Sequence, residues 1–168
     1  MACIRKFLGL AAISACAAFA APNPNFHIYI AYGQSNMAGN GDIVPSEDQD
    51  QYKDKFLMLA SHNANASQRS GKTNQSIKTG EWYTAIPPMF HAFENLSPAD
   101  YFGRAMVDSL PGVTVGIIPV AIGAVSIRAF DKDQYESYFK GDGKDIMSWG
   151  WPKDYDNNPP GRILELAK

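Results

Sequence analysis

Two apolar runs and the capped helix that leads into the second one constrain this chain more than any other feature. Phe26 to Tyr32, "FHIYIAY", and Val113 to Val120, "VTVGIIPV", are short, rich in β-branched and aromatic residues, and apolar on both faces. That pattern belongs to strands covered on both sides, as central strands of parallel sheets are. Before the second run, Ser97 can cap a helix, Pro98 sits at its first position, and Asp100 completes a capping-box start. Phe102, Ala105, Met106 and Ser109-Leu110 share one face of that helix, and Pro111-Gly112 ends it. A helix between two apolar strands is a βαβ pattern. It predicts an α/β fold, a parallel sheet with helices on its faces.

The rest of the chain adds less regular pieces. "KFLMLAS", Lys55 to Ser61, is a third strand candidate. Residues 62–80 contain hardly any apolar side chains and read as a surface excursion. "EWYTAIPPMFHAF" brings aromatics back, with Pro87-Pro88 forbidding a long regular element. The Asp-, Gly- and Trp-rich stretch that follows reads as loop until Pro159-Pro160-Gly161, after which "RILELAK" starts a fresh helix.

At 168 residues, 45% hydrophobic, the chain is long enough for one domain with a real core. Its net charge of −2, with no basic patch and no one-sign run, argues against nucleic acid or an acidic membrane surface as partner. The N-terminus reads as a leader: Arg5 and Lys6, an apolar stretch from Phe7 to Phe19, and an A-x-A site at Ala18-Phe19-Ala20. The stretch is short for a membrane span, which needs about 20 residues. Residues 1–20 are therefore expected to be a signal peptide, and the mature protein, from residue 21, to be secreted or periplasmic. Cys3 and Cys16 both fall in the leader, so no disulfide is expected. Ile13-Ser14-Ala15-Cys16 loosely resembles a lipobox, which leaves lipidation at Cys16 as the alternative and the one route to a membrane.

The residue best placed for chemistry is Ser35, where the first apolar run gives way to Gly33-Gln34-Ser35-Asn36. It reads either as a helix cap or as a nucleophile held at the carboxyl end of a parallel sheet, where open α/β folds bind their ligands. Amide N–H groups at such a turn are donors for an oxyanion. Met37 stands where the second glycine of a G-x-S-x-G elbow would be, which argues against that family.

"GQSNMAG", residues 33–39, resembles the first block of the SGNH hydrolases, and within them the sialate O-acetylesterase-like and acetylxylan esterase branch, carbohydrate esterase family 6. "SPADYFGRAM" (97–106) and "GIIPVAIGAVSI" (116–127) are similar to two later blocks in order and spacing, so the likeness spans most of the mature chain. The resemblance implies a three-layer α/β/α sandwich with a parallel, flavodoxin-like sheet and no metal or organic cofactor. It also implies that an acetylated carbohydrate is the substrate. Carried over, Ser35 is the nucleophile and one oxyanion donor, and Gly123 lies in the oxyanion region. Ala124 and Val125 replace the family's second glycine and its threonine. Ala124 is strained if its backbone needs a positive φ, and unremarkable otherwise.

The resemblance also implies a downstream block that supplies a further oxyanion or orienting side chain, and a C-terminal acidic residue with a histidine base, and neither is present. The sheet is expected to be incomplete and the chain to be the N-terminal part of an esterase domain, nearly inactive alone. The three histidines all precede the expected position of the base. His27 reads as a core residue on the strand, His62 as a solvated loop residue and His91 as packing. Trp149, Trp151 and Tyr155 read as a sugar cleft or, more plainly, as buried loop anchors. Asp142 and Asp145 lack the spacing of a calcium loop. The competing class is a non-catalytic, secreted carbohydrate-binding or structural module on the same fold.

Overall fold

The computed structural model describes residues 23–48, 52–69 and 73–168. The leader and both cysteines, with the cleavage and lipidation readings placed on them, lie outside the described residues. Among the described residues, four strands form one sheet: β1 (Phe26–Gly33), β2 (Phe56–Leu59), β3 (Trp82–Thr84) and β4 (Thr114–Ala121). Their order is β1-β4-β2-β3, with β1 and β2 both parallel to β4 and β3 antiparallel to β2. Among the described residues, five α-helices accompany them: α1 (Ser35–Ala38), α2 (Pro45–Asp48), α3 (Pro98–Ser109), α4 (Tyr135–Lys140) and α5 (Pro159–Leu166). This is the expected α/β fold, with one short antiparallel strand, β3, added where aromatics return to the chain. No helix among the described residues is long and apolar enough to cross a membrane.

The start of α3 follows its sequence closely. Ser97 accepts from the N–H of Ala99, and Asp100 accepts from the N–H of Ser97 at 2.9 Å, a complete capping box with Pro98 behind it. Its buried face is not the expected one. Ala99, Asp100 and Gly103 are buried, while Phe102 and Ala105 are exposed. The reason is close approach: a Cβ on Gly103 would lie 2.0 Å from Cε2 of Phe56, so the helix meets the sheet along its smallest side chains. Phe102 instead packs edge-on against Tyr29.

Two cores flank the sheet. On the α3 side, Ala31, Phe56, Met58, Val115 and Ile117 pack together. On the other side, Val120 and Ile122 meet Tyr138, Phe139, Ile146, Tyr155 and Ile163. The stretch read as loop therefore builds a covering layer: α4, two 3-10 turns at Ile146–Trp149 and Trp151–Tyr155, and α5. That layer stops short of β1. The strand is the edge of the sheet rather than its centre, and Ile28 and Ile30 stand 50% and 51% exposed. His27, at its start, is half-buried rather than part of the core.

The polar excursion is also less superficial than its composition suggests. Arg69 is fully buried and staples residues 73–88 together. Its Nη1 donates to the carbonyl of Gln75 at 2.8 Å, and its Nη2 to the carbonyls of Ile86 and Pro88 at 3.0 and 2.8 Å. A guanidinium has enough donors to satisfy loop carbonyls away from water, so burial there needs no apolar side chains.

Candidate active site

The parallel register brings the ends of β1 and β4 side by side, with Gly33 opposite Ala121. The ladder runs one step further, as Ile122 N–H donates to the carbonyl of Gly33 at 3.1 Å. Beyond it one segment runs into Ser35 and the other into Gly123. Gln34 is the residue preceding α1, and Ser35 is the first residue of the helix itself. The Ser35 hydroxyl donates to Gln34 Oε1 at 3.1 Å, and no side chain caps this helix. Ser35 is therefore not a cap. Glycine ends the turn for a steric reason: Gly39 has φ +87°, and a Cβ there would lie 2.2 Å from the carbonyl oxygen of Leu96.

On the facing segment, a Cβ on Gly123 would lie 2.8 Å from Cζ3 of Trp151, so the glycine lets the indole pack against the backbone. Ala124 has φ +59°, the left-handed conformation that a side chain resists, and it is exposed. The departure noted in the sequence thus falls on a strained residue. Among the described residues, the amide N–H groups of Ser35, Gly123 and Ala124 make no hydrogen bond. A cavity of about 290 Å³ adjoins this strand end, walled by Tyr32, Gly33, Gln34, Val125, Ile127 and Phe130. Its shape is fixed by Tyr32, whose hydroxyl donates to the carbonyl of Phe130 at 3.1 Å.

None of the three histidines is hydrogen bonded to Ser35. His27 sits at the opposite end of β1, eight residues away, which at about 3.3 Å per residue is on the order of 26 Å. His62 is buried, not solvated, and neither ring nitrogen has a partner. Burial pushes its pKa well below the usual imidazole range, and neighbouring His91 adds to the shift. His91 is fully buried and spoken for on both sides. Its Nδ1 pairs with Asp154 Oδ2 at 2.8 Å, and its Nε2 faces the carbonyl of Ala121 at 2.8 Å and the hydroxyl of Tyr155 at 3.4 Å. A serine hydrolase base needs a ring nitrogen aimed at the serine; here both nitrogens face acceptors. The packing reading of His91 holds. Sequence reasoning missed Asp154 as its partner, because 63 residues separate the two and no local spacing signals the contact.

The aromatic stretch divides differently from either reading of it. Tyr155 is fully buried, its hydroxyl pKa pushed up by burial, so it lines no cleft. Trp151 is half-buried against Gly123, and Trp149 is 51% exposed, so it is not a buried anchor. Asp142 pairs with Arg128 at 3.1 Å, and no group of three His, Cys, Asp or Glu side chains among the described residues could hold a metal ion.

No solved structure matches the chain. A family model described as "Carbohydrate esterase, sialic acid-specific acetylesterase" matches residues 25–141, a span that holds β1 to β4, Ser35 and Gly123. With well over half its length matched, the chain belongs to the carbohydrate esterase family of sialic acid-specific acetylesterases.

Proposed function

We propose that Ser35 is the nucleophile of a carbohydrate O-acetylesterase and that the N–H groups of Ser35 and of the Gly123 region form its oxyanion hole. The Ser35 oxygen attacks the acetyl carbonyl, and its proton passes to a base outside the described residues. The carbonyl oxygen becomes an oxyanion held by those amides. Collapse expels the sugar hydroxyl, which takes up the proton, and water then cleaves the acetyl-serine ester. The apolar wall of Val125, Ile127 and Phe130 receives the acetyl methyl group. The observation that carries this reading is the adjacency of the Ser35 and Gly123 turns, with amides that have no partner of their own. Export through a leader cleaved after Ala20 belongs to the same proposal, since it brings the enzyme to extracellular polysaccharide.

Hydrolysis of p-nitrophenyl acetate tests it. In any active form of the protein, Ser35→Ala removes turnover by orders of magnitude while circular dichroism stays unchanged. Retention of most of the activity returns Ser35 to a structural role. For the 168 residues alone we expect little turnover, because general-base assistance is typically worth about 10²–10⁴-fold. The histidine geometry also favours a second reading, a non-catalytic carbohydrate-binding module. Sugar binding with no hydrolysis in any form of the protein identifies it.

A further inference from the structure

Four aromatic rings form a ladder that starts in the core and ends in solvent beside Gly123. His91, fully buried, stacks on Phe93 with centroids 5.2 Å apart and planes 7° apart. Phe93 stacks on Trp151 at 5.3 Å and 26°. Trp151 meets Trp149 edge-to-face at 5.2 Å and 69°. Phe93 and Trp149 are each about half exposed, at 50% and 51%. Three points separate this ladder from ordinary surface aromatics. It touches the candidate oxyanion segment, because Trp151 packs on Gly123 within van der Waals contact. Its inner end is fixed by the two short contacts of His91, so the outer rings are held before any ligand arrives. It also draws on two distant segments, around residues 91–93 and 149–151, which the His91–Asp154 pair holds together.

We infer that Trp149, the outer rung, forms a carbohydrate subsite with Trp151 and Phe93 holding it in place, so that a pyranose ring of the acetylated chain stacks on Trp149 while an acetyl group reaches Ser35. This deepens the esterase reading and rests on it for the identity of the chain bound. A pyranose offers a face of C–H groups that packs on an aromatic ring and a rim of hydroxyls that needs polar neighbours. An apolar body with polar surroundings is the usual make-up of a small-molecule site. The Asp154 carboxylate, 38% exposed beside the ladder, supplies an acceptor for a sugar hydroxyl.

Calorimetric titration of the chain with chemically acetylated xylohexaose tests this without requiring turnover. Saturable binding is expected, weakened at least tenfold by Trp149→Ala and by Phe93→Ala. Trp149→Phe, which keeps a stacking ring, should retain part of the affinity and guards against a folding artefact. Absence of binding by the parent chain overturns the subsite, as does unchanged affinity in both alanine variants. Ser35→Ala separates this inference from the esterase proposal, because it should bind as tightly as the parent. A chain that binds through Trp149 but never hydrolyses leaves the subsite standing and removes the chemistry. An active protein whose affinity ignores Trp149 and Phe93 removes the subsite alone.

Discussion

The end of β4 supports two constellations that look equally chemical in a list of residue types, and they differ in every physical respect. On one side, Ser35 is half-buried and Gly123 lies under Trp151, with amides that make no hydrogen bond and a neighbour, Ala124, in a strained backbone conformation. On the other, buried His91 and Tyr155 meet the partly exposed Asp154, and the imidazole and phenol are used on each other, on the Asp154 carboxylate and on the Ala121 backbone. An aspartate that orients a histidine is the arrangement found behind a catalytic serine. Here it is turned inward and ties the Trp151–Tyr155 turn to the strand end. Unsatisfied capacity, rather than residue type, distinguishes a place for reaction from a place for stability.

The sharpest way to break that contrast is His91→Ala. Removing the ring leaves the Ala121 carbonyl without a donor, opens a cavity beneath Phe93, and frees the Trp151–Tyr155 turn. Asp154, partly exposed, recovers some hydration, so the main loss is the carbonyl and the packing. We expect a destabilisation of about 2–4 kcal/mol in urea unfolding. Ser35→Ala, at the open site, should stay within about 0.5 kcal/mol. A His91→Ala loss below about 1 kcal/mol would erase the distinction between the two sites.

A smaller effect follows from His62, which lies beside this cluster among His91, Asp154, Arg69 and Arg162. Its folded pKa is depressed, so the fold holds it neutral and binds fewer protons than the unfolded chain. Its contribution is present above the ordinary imidazole pKa of about 6.5 and is lost as pH falls through the acid range toward its folded value. Each unit of displacement corresponds to about 1.4 kcal/mol. Asp100 works the other way. Burial raises it to about 6, so its contribution is full below 3.8 and is lost as pH rises through 6. The two partly cancel between about pH 4 and 6. Unfolding free energy should therefore fall more steeply on acidification in Asp100→Asn than in the parent, and less steeply in His62→Leu. Identical slopes in parent and His62→Leu would show that His62 is solvated after all.

How much of this was legible in the sequence depended on whether the signal was local. The α3 cap, the three parallel strands and the Gly33–Gly39 turn are written in neighbouring residues, and the structure repeats them nearly residue for residue. The face that α3 buries was not legible, because Gly103 is chosen by Phe56, some fifty residues away. Nor was the burial of Arg69 and His62, since a polar stretch reads as exposed unless its partners are known. The edge position of β1 was hidden for a related reason: Ile28 and Ile30 announce a partner surface without saying whether the described chain provides one. At the candidate site, Ser35 and Gly123 were legible through their motif, whereas Phe93 carried no signal until Trp151 came to lie on it.

The smallest expected effect probes the open site most directly. Ala124 at φ +59° pays for a conformation that glycine adopts freely, at roughly 1–2 kcal/mol for an L-residue. Replacing it with glycine relieves that strain but also loosens the unfolded chain, which costs about 0.5–1 kcal/mol in return. The net for Ala124→Gly is a stabilisation of about 0.5–1 kcal/mol, read as a higher urea midpoint at unchanged slope. The control is Gly123→Ala, one residue earlier, where the backbone is not left-handed but a Cβ would press on Trp151. It should move stability in the opposite direction and disturb the aromatic ladder, seen as a change in tryptophan fluorescence. Adjacent positions with opposite responses would locate the strain in the backbone of Ala124 and the packing demand at Gly123. If Ala124→Gly instead destabilises the chain, the turn that presents the Gly123 amide is held by something other than the conformation described here. The oxyanion assignment then loses its structural support.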